Sequence, residues 1–197
     1  MSIRLYKNYL LILLFTSIAS QGYAASKKVA FPDWGVGVQA GITDPNASYG
    51  DMSIGVSEDA IDYDIAPALS MNITRYIDPK VGIDVSYGFI PGIEPSTVSA
   101  DDFSIHYANI SLVGTSTAAK EICFSTQVGV GYYLFDTELA THKKLGAVLG
   151  LSVSYPLSNS LDVSLGYQFH KIERFKDNSG SLSIDPHMLK LGLLLKL

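Results

Sequence analysis

Long hydrophobic runs are what this 197-residue chain most lacks: the longest, Tyr9 to Ile18, is about ten residues. A helix needs about twenty to cross a bilayer, so membrane-spanning helices are excluded. Cysteine is nearly absent. Cys123 stands alone, which excludes an internal disulfide. Charge is sparse, at 17% of residues, and leans acidic, with 19 Asp and Glu against 14 Lys and Arg. No run of lysine or arginine offsets it, and such a chain is a poor partner for a nucleic-acid backbone. Glycine and tyrosine, by contrast, are plentiful, at 17 and 12 residues. That balance suits a strand-rich membrane protein better than a solvated helical one.

Arg4 and Lys7 precede the apolar run, and Gly22, Tyr23 and Ala24 follow it with a small-residue cleavage pattern. Residues 1–24 therefore read as a removed secretory signal, 25–33 as a short periplasmic segment and 34–197 as one domain. Without Arg4 and Lys7 the net charge falls to about −7. Cys123 is far from the cleavage point, so no N-terminal lipid anchor is expected.

From Trp34 onward the dominant signal is a period of two, which places alternate side chains on opposite faces of a strand. Val81, Ile83, Val85, Tyr87 and Phe89 against Gly82, Asp84, Ser86 and Gly88 is the cleanest example. Similar alternation runs over 34–42, 63–74, 122–132, 145–155, 161–169 and 189–197. Pro67 removes a ladder donor, so a bulge is expected there. The stretch from Phe103 to Val113 changes phase: Phe103, Ile105 and Tyr107 share one face, Ile110 and Leu112 the other, which predicts a bulge within it. Cys123 falls on the less apolar face and reads as a small residue packed inside. Eight strands of about 9 to 13 residues, tilted near 40°, cross a hydrocarbon band of about 25 Å. The glycine- and serine-rich face fits the narrow interior of an eight-stranded barrel.

Connections alternate in length. Tyr76 to Lys80, Thr115 to Lys120 and Pro156 to Ser160 read as short turns; Asp44 to Ile61, Pro91 to Asp102, Asp136 to Lys144 and Ile172 to Leu182 read as long loops. Short turns belong to the periplasm, so both termini are expected there. Tyr63, Tyr87, Phe89, Tyr132, Tyr167 and Phe169 then collect at the outer boundary and Tyr76 and Tyr155 at the inner one, as two aromatic girdles.

The chain stops on Leu189, Leu191, Leu193, Leu195 and Leu197, a leucine face with no polar tail. On a soluble edge strand it would invite aggregation; on a strand closing a barrel it meets lipid. Lys190, Gly192, Leu195 and Leu197 resemble the C-terminal insertion signal of bacterial outer-membrane barrels, with Leu197 where an aromatic is usual. Ser183-Ile184-Asp185-Pro186-His187, leading into Lys190-Leu191-Gly192-Leu193, resembles the closing strand of the outer membrane protein W family, with His187 in the place of an aromatic. The run from Val38 through Asp44 to Pro45, and Val81 to Val85 followed by Pro91, are similar to that family's first and third strands. Its His-Leu-Pro-Pro stretch is replaced by His106-Tyr107-Ala108-Asn109. The resemblance implies a narrow barrel that passes or binds small hydrophobic molecules taken in from outside.

Catalysis by a lipid hydrolase needs a serine, a histidine and a carboxylate in concert. In His106-Tyr107-Ala108-Asn109 the nucleophile position is Ala108, leaving only a rearranged set of Ser104, His106 and Asp101 or Asp102; no enzyme activity is expected. His170 and His187 lack a third ligand for a metal, and no cofactor is expected. Asp84, Asp162, Lys190 and Lys196 all fall on the inward face, where charges must pair. They are expected to form one ionic cluster that plugs or constricts the periplasmic half. Asp44, Asp51, Glu58 and Asp59, with Glu94, Asp101 and Asp102, could share divalent cations with lipopolysaccharide or be solvated.

The expected architecture is all-β: an eight-stranded, antiparallel, up-and-down transmembrane barrel in a Gram-negative outer membrane. Expected partners are outer-membrane lipid and lipopolysaccharide, the barrel-assembly machinery and small hydrophobic solutes, with no nucleic acid. Two roles compete: a porin-like conduit or binding barrel, and a surface-recognition, adhesin-like barrel acting through its loops. A conduit requires a continuous cavity from the loops inward; a recognition barrel is filled by its own side chains.

Overall fold

The structure, a computed structural model, describes residues 33–50, 59–61, 63–93, 102–117, 122–137, 141–176 and 181–197. The strands are β1 (Trp34–Asp44), β2 (Ala47–Gly50), β3 (Asp59–Ile61), β4 (Ala66–Asp78), β5 (Val81–Ile93), β6 (Phe103–Thr117), β7 (Cys123–Thr137), β8 (Thr141–Pro156), β9 (Leu161–Ile172), β10 (Phe175–Lys176), β11 (Ser181–Ile184) and β12 (His187–Lys196). Eight of them close a barrel in the order β1-β12-β9-β8-β7-β6-β5-β4, and β4 pairs back onto β1. All neighbours are antiparallel. The other four form a small sheet, β10-β11-β2-β3, at the end where the long connections lie. That end is called the loop end here, and the opposite one the turn end.

Alternation sets the two faces. Leu189, Leu191, Leu193 and Leu195 of β12 point outward, while Met188, Lys190 and Gly192 point in. Leu191 is 60% exposed and Val130 62%. Apolar side chains this open to the exterior on every barrel strand require a hydrocarbon surround. The terminal strand closes the barrel against β1, from Gly35↔Lys196 to Asp44↔His187. At the β4–β5 turn the Asp78 carboxylate accepts from the backbone N–H of Lys80 (2.6 Å) and Val81 (2.9 Å), so a side chain holds the reversal at Asp78-Pro79. Replacing Leu191 with Arg, mid-strand on the lipid face, is expected to remove about 2–4 kcal/mol of stability in urea titrations of vesicle-inserted protein. A loss under about 0.5 kcal/mol would mean that this face does not meet hydrocarbon.

Several local expectations change. Pro67 carries no bulge: the β1–β4 register runs unbroken through Ile42↔Pro67. The β4–β5 ladder begins only at Leu69↔Phe89, so Pro67 has an unpaired edge on that side, where a missing N–H is tolerated. A bulge does occur in β5, between Ile90 and Ile93. There Gly92 takes φ +48°, a conformation glycine adopts at no steric cost, and the extra residue keeps both isoleucines inward. β6 needs no bulge. Its pairing with β7 is continuous, and Phe103, Ile105, Tyr107, Asn109 and Ser111 all face in. The apparent phase change arises because the interior itself turns from apolar to polar along the strand. Asp136 to Lys144 is no long loop, since β7 and β8 stay paired up to Asp136↔Thr141. Tyr76 faces the interior beside Gly35 and Gly82 rather than joining a girdle, and Tyr63 packs edge-on against Phe103 at 5.4 Å. Tyr87, Tyr132 and Tyr167 at the loop end and Tyr155 at the turn end do face outward. The secretory signal, most of the segment 25–33, Asp51, Glu58, Glu94 and Asp101 lie outside the described residues.

Candidate functional site

The interior has two compartments. Toward the loop end, Ile90, Ile93, Ile105, Tyr107, Tyr133, Val148, His170 and Met188 are each 0–1% exposed. Phe103, Phe135 and Ile172 add to this packing. Two tyrosines form its floor. A Cβ at Gly88 would overlap the Tyr107 ring, and one at Gly131 or Gly146 would overlap Tyr133, so each ring lies flat across the barrel wall only because glycine faces it. Tyr133 meets Nδ1 of His170 at 2.7 Å, and the Tyr107 and His170 rings meet edge-on at 5.1 Å.

Below that floor the lining turns polar. Lys190 donates to the Tyr107 hydroxyl (2.7 Å), Gln168 Oε1 (2.5 Å) and Ser70 Oγ (3.3 Å), which uses all three ammonium hydrogens. Gln168 donates to Gln127 Oε1 (2.7 Å), and Gln127 to Asp84 Oδ1 (3.4 Å). The Asp84 carboxylate also accepts from Asn72 and Thr74, both at 2.7 Å. A hydrogen-bonded crossbar thus runs from Lys190 on β12 through β9 and β7 to Asp84 on β5, spanning the lumen.

The four charges expected in one cluster therefore divide into two groups. Lys196 pairs directly with Asp162 at 2.6 Å, at the turn end. Lys190 is six residues away on the same strand, about 20 Å at the rise of a β-strand, and reaches Asp84 only through two glutamines. Gly192 faces inward beside Gln39 and Ser164, whereas Leu195 and Leu197 face outward. Gln127, Gln168, Tyr107 and Tyr133 were not singled out from the sequence. Tyr107 had a signal, since it shares the inward phase of Phe103 and Ile105; the glutamines had none, because polar residues on an inward face are ordinary.

The other candidates separate. His170 is inside the barrel, while His187 is on the outer side, its ring tilted at 48° against Phe169 with centroids 4.9 Å apart and bonded to Tyr167 at 2.5 Å. The barrel wall stands between the two histidines. His106 also faces outward; its Nδ1 meets Tyr87 at 2.7 Å and its Nε2 lies 3.7 Å from Asp136, so its ring nitrogens are directed at neither Ser104 nor Asp102. Among the described residues no three His, Cys, Asp or Glu side chains gather as a metal site. Cys123 faces inward near the turn end, half-buried and outside any disulfide.

A closed eight-stranded antiparallel cylinder with an apolar exterior and a polar-and-aromatic interior defines an outer-membrane β-barrel. Residues 10–196 match the family described as outer membrane protein beta-barrel domain, and the chain belongs to it. Among solved structures, it is similar to the outer membrane protein OprG from Pseudomonas aeruginosa, at 12% identity over 87% of this chain and 100% of that one, with a TM-score of 0.60. Outer membrane protein AlkL, solved in lipid bilayers, is 18% identical over 90% and 97% of the two chains, with a TM-score of 0.56. Neisserial surface protein A is 16% identical over 82% and 97%, with a TM-score of 0.54. At these identities the likeness is one of fold. No curated protein sequence matches the chain. The protein is an outer-membrane barrel and resides in the cell outer membrane.

Proposed function

We propose that this barrel works from its outer surface, as a non-catalytic recognition barrel whose loop end meets its partners. The observation that carries the reading is the loop-side compartment, which is filled by the protein's own side chains from Phe103 down to Tyr107 and Tyr133. Packing of that kind leaves no passage to the lumen from the side on which a solute would arrive. The long connections and the small β10-β11-β2-β3 sheet support an outward loop end, with both termini in the periplasm behind a cleaved signal. The Ile184-Asp185-Pro186 approach to a glycine-bearing β12 supports a place near the outer membrane protein W family. Catalytic chemistry has no support in the contacts of His106 and His170.

A second reading, a conduit or binding barrel for small hydrophobic molecules, draws support from the apolar character of the same loop-side compartment, which an apolar solute would match if its side chains moved apart. Planar-bilayer recording of refolded protein, with and without long-chain alkyl solutes, separates the two. Electrically silent bilayers and no alkyl binding are expected. Resolved conductance steps, or saturable alkyl binding, would put the conduit first.

A further inference from the structure

The turn-side half of the lumen has a feature that neither reading uses. Facing inward there are Gln39, Ser125, Gln127, Ser152, Ser164 and Gln168, and all are part-exposed although they point away from the lipid. Exposure on an inward face means open space inside the cylinder. On the wall formed by β4, β5 and β6, both amide atoms of Asn109, the hydroxyls of Ser86 and Ser111 and the carbonyl oxygen of Asn72 have no protein partner. Asn109 and Ser111 are each only 3% exposed. Register makes these four a continuous patch: Asn72 faces Ser86, Ser86 faces Asn109, and Ser111 follows on the same strand. Buried polar groups that lack a protein partner are satisfied by enclosed solvent or a hydrogen-bonding ligand.

We propose that the turn-side half of the lumen is a blind polar vestibule that admits water and small uncharged hydrogen-bonding solutes from the turn end and is closed above by the Tyr107–Tyr133 layer. Its roof is a tight layer in which Tyr107, Tyr133, Met188 and His170 are each 0–1% exposed. Its mouth carries the Asp162–Lys196 pair, which presents both signs of charge side by side and so favours neither anions nor cations. Its wall offers the part-exposed donors and acceptors of Gln39, Ser125, Ser152 and Ser164, with the Lys190–Asp84 crossbar spanning it. Such a site suits water or a small polyol and offers nothing to an alkyl chain.

Cysteine accessibility tests this directly. In a Cys123→Ser background, Ser152→Cys and Ser164→Cys report on the vestibule and Ile105→Cys and Val148→Cys on the compartment above it; Val130→Cys, on the lipid face, sets the rate without lumen access. The probe is methyl methanethiosulfonate, small and neutral, applied to folded protein in detergent micelles so that membrane orientation plays no part. Ser152→Cys and Ser164→Cys are expected to react at least tenfold faster than Ile105→Cys and Val148→Cys, and a bulky charged methanethiosulfonate is expected to slow them at least tenfold. Inert cysteines at both 152 and 164 in folded protein would overturn the vestibule while leaving the recognition reading intact. Equal reaction at 105 and 152 would overturn the blind end, and with it the filled loop-side compartment on which the recognition reading stands. Where a variant fails to fold, unmodified Cys123, inward and half-buried near the mouth, serves as the second measurement. Its failure to react in the native chain would also count against an open mouth.

Discussion

Replacing Tyr107 and Tyr133 together with alanine is expected to unseat the apolar plug that rests on them and to give resolved single-channel steps in planar bilayers, where the native protein is expected to be silent. The two rings form the floor between the apolar plug and the polar half-lumen, and each lies over glycine, Gly88 under Tyr107 and Gly131 and Gly146 under Tyr133. Small residues opposite a deleted ring cannot refill the gap, so the wall stays thin and the gap stays open. Each truncation should also cost about 3–5 kcal/mol, the usual loss for a large buried ring, read as a lower urea midpoint. The Tyr107→Phe variant isolates the ring from its hydroxyl. It keeps the floor and should stay silent, but it removes the acceptor 2.7 Å from Lys190 and should lose about 1.5–3 kcal/mol, typical of a hydrogen bond to a charged group. A double alanine variant that folds and remains silent would show that the seal lies higher, among Ile90, Ile93 and Phe103.

The second large effect concerns the crossbar. Lys190→Met and Asp84→Asn are each expected to destabilise the barrel by about 3 kcal/mol, because either leaves a buried charge without its compensating opposite. Combined, they should lose about 1–2 kcal/mol less than the sum of the two, although the charged groups do not touch. Their link is the chain Lys190–Gln168–Gln127–Asp84. Gln127→Leu breaks that chain and should bring the coupling to within about 0.5 kcal/mol of zero, the ordinary scatter of additivity. Strict additivity in the native background would mean that the glutamines pack beside the charges without joining them. The Lys196–Asp162 pair supplies the contrast: it lies near the turn end, in direct contact, and Lys196→Met strands Asp162, which is only 6% exposed, so it should cost about 3 kcal/mol whether or not Gln127 is present.

Much of the barrel was legible in single residues. The alternation around Val81 to Phe89 and the leucine row of β12 assign each side chain to lipid or lumen, because a strand has only two faces. Strand number followed from how often that pattern recurs. Where the reading failed, a side chain's surroundings varied along one strand. Phe103, Ile105 and Tyr107 suggest a change of phase before Ile110, because alternation alone places apolar residues on one face throughout. In the barrel the inner face is apolar near the loops and polar beyond Asn109, so β6 keeps its phase and changes its environment. Pro67 misled for a related reason: whether a missing donor matters depends on which neighbouring strand is still paired at that height.

The candidate site was less visible. Lys190 and Asp84 read as inward charges, yet nothing local distinguishes a residue that meets its partner directly, as Lys196 does, from one that reaches it across the lumen. Gln127 and Gln168 connect strands that are not neighbours. No spacing along the chain encodes that approach.

What the amino-acid order determined alone was the alternation of faces, the number of crossings and the membrane that such a surface demands, since each depends on local geometry and on transfer between water and hydrocarbon. Only closure into a cylinder decided what the inward side chains do. Closure brings β5, β7, β9 and β12 to a shared lumen, where volume determines that the tyrosines seal one half and hydrogen-bond reach determines which polar groups are left to meet water in the other.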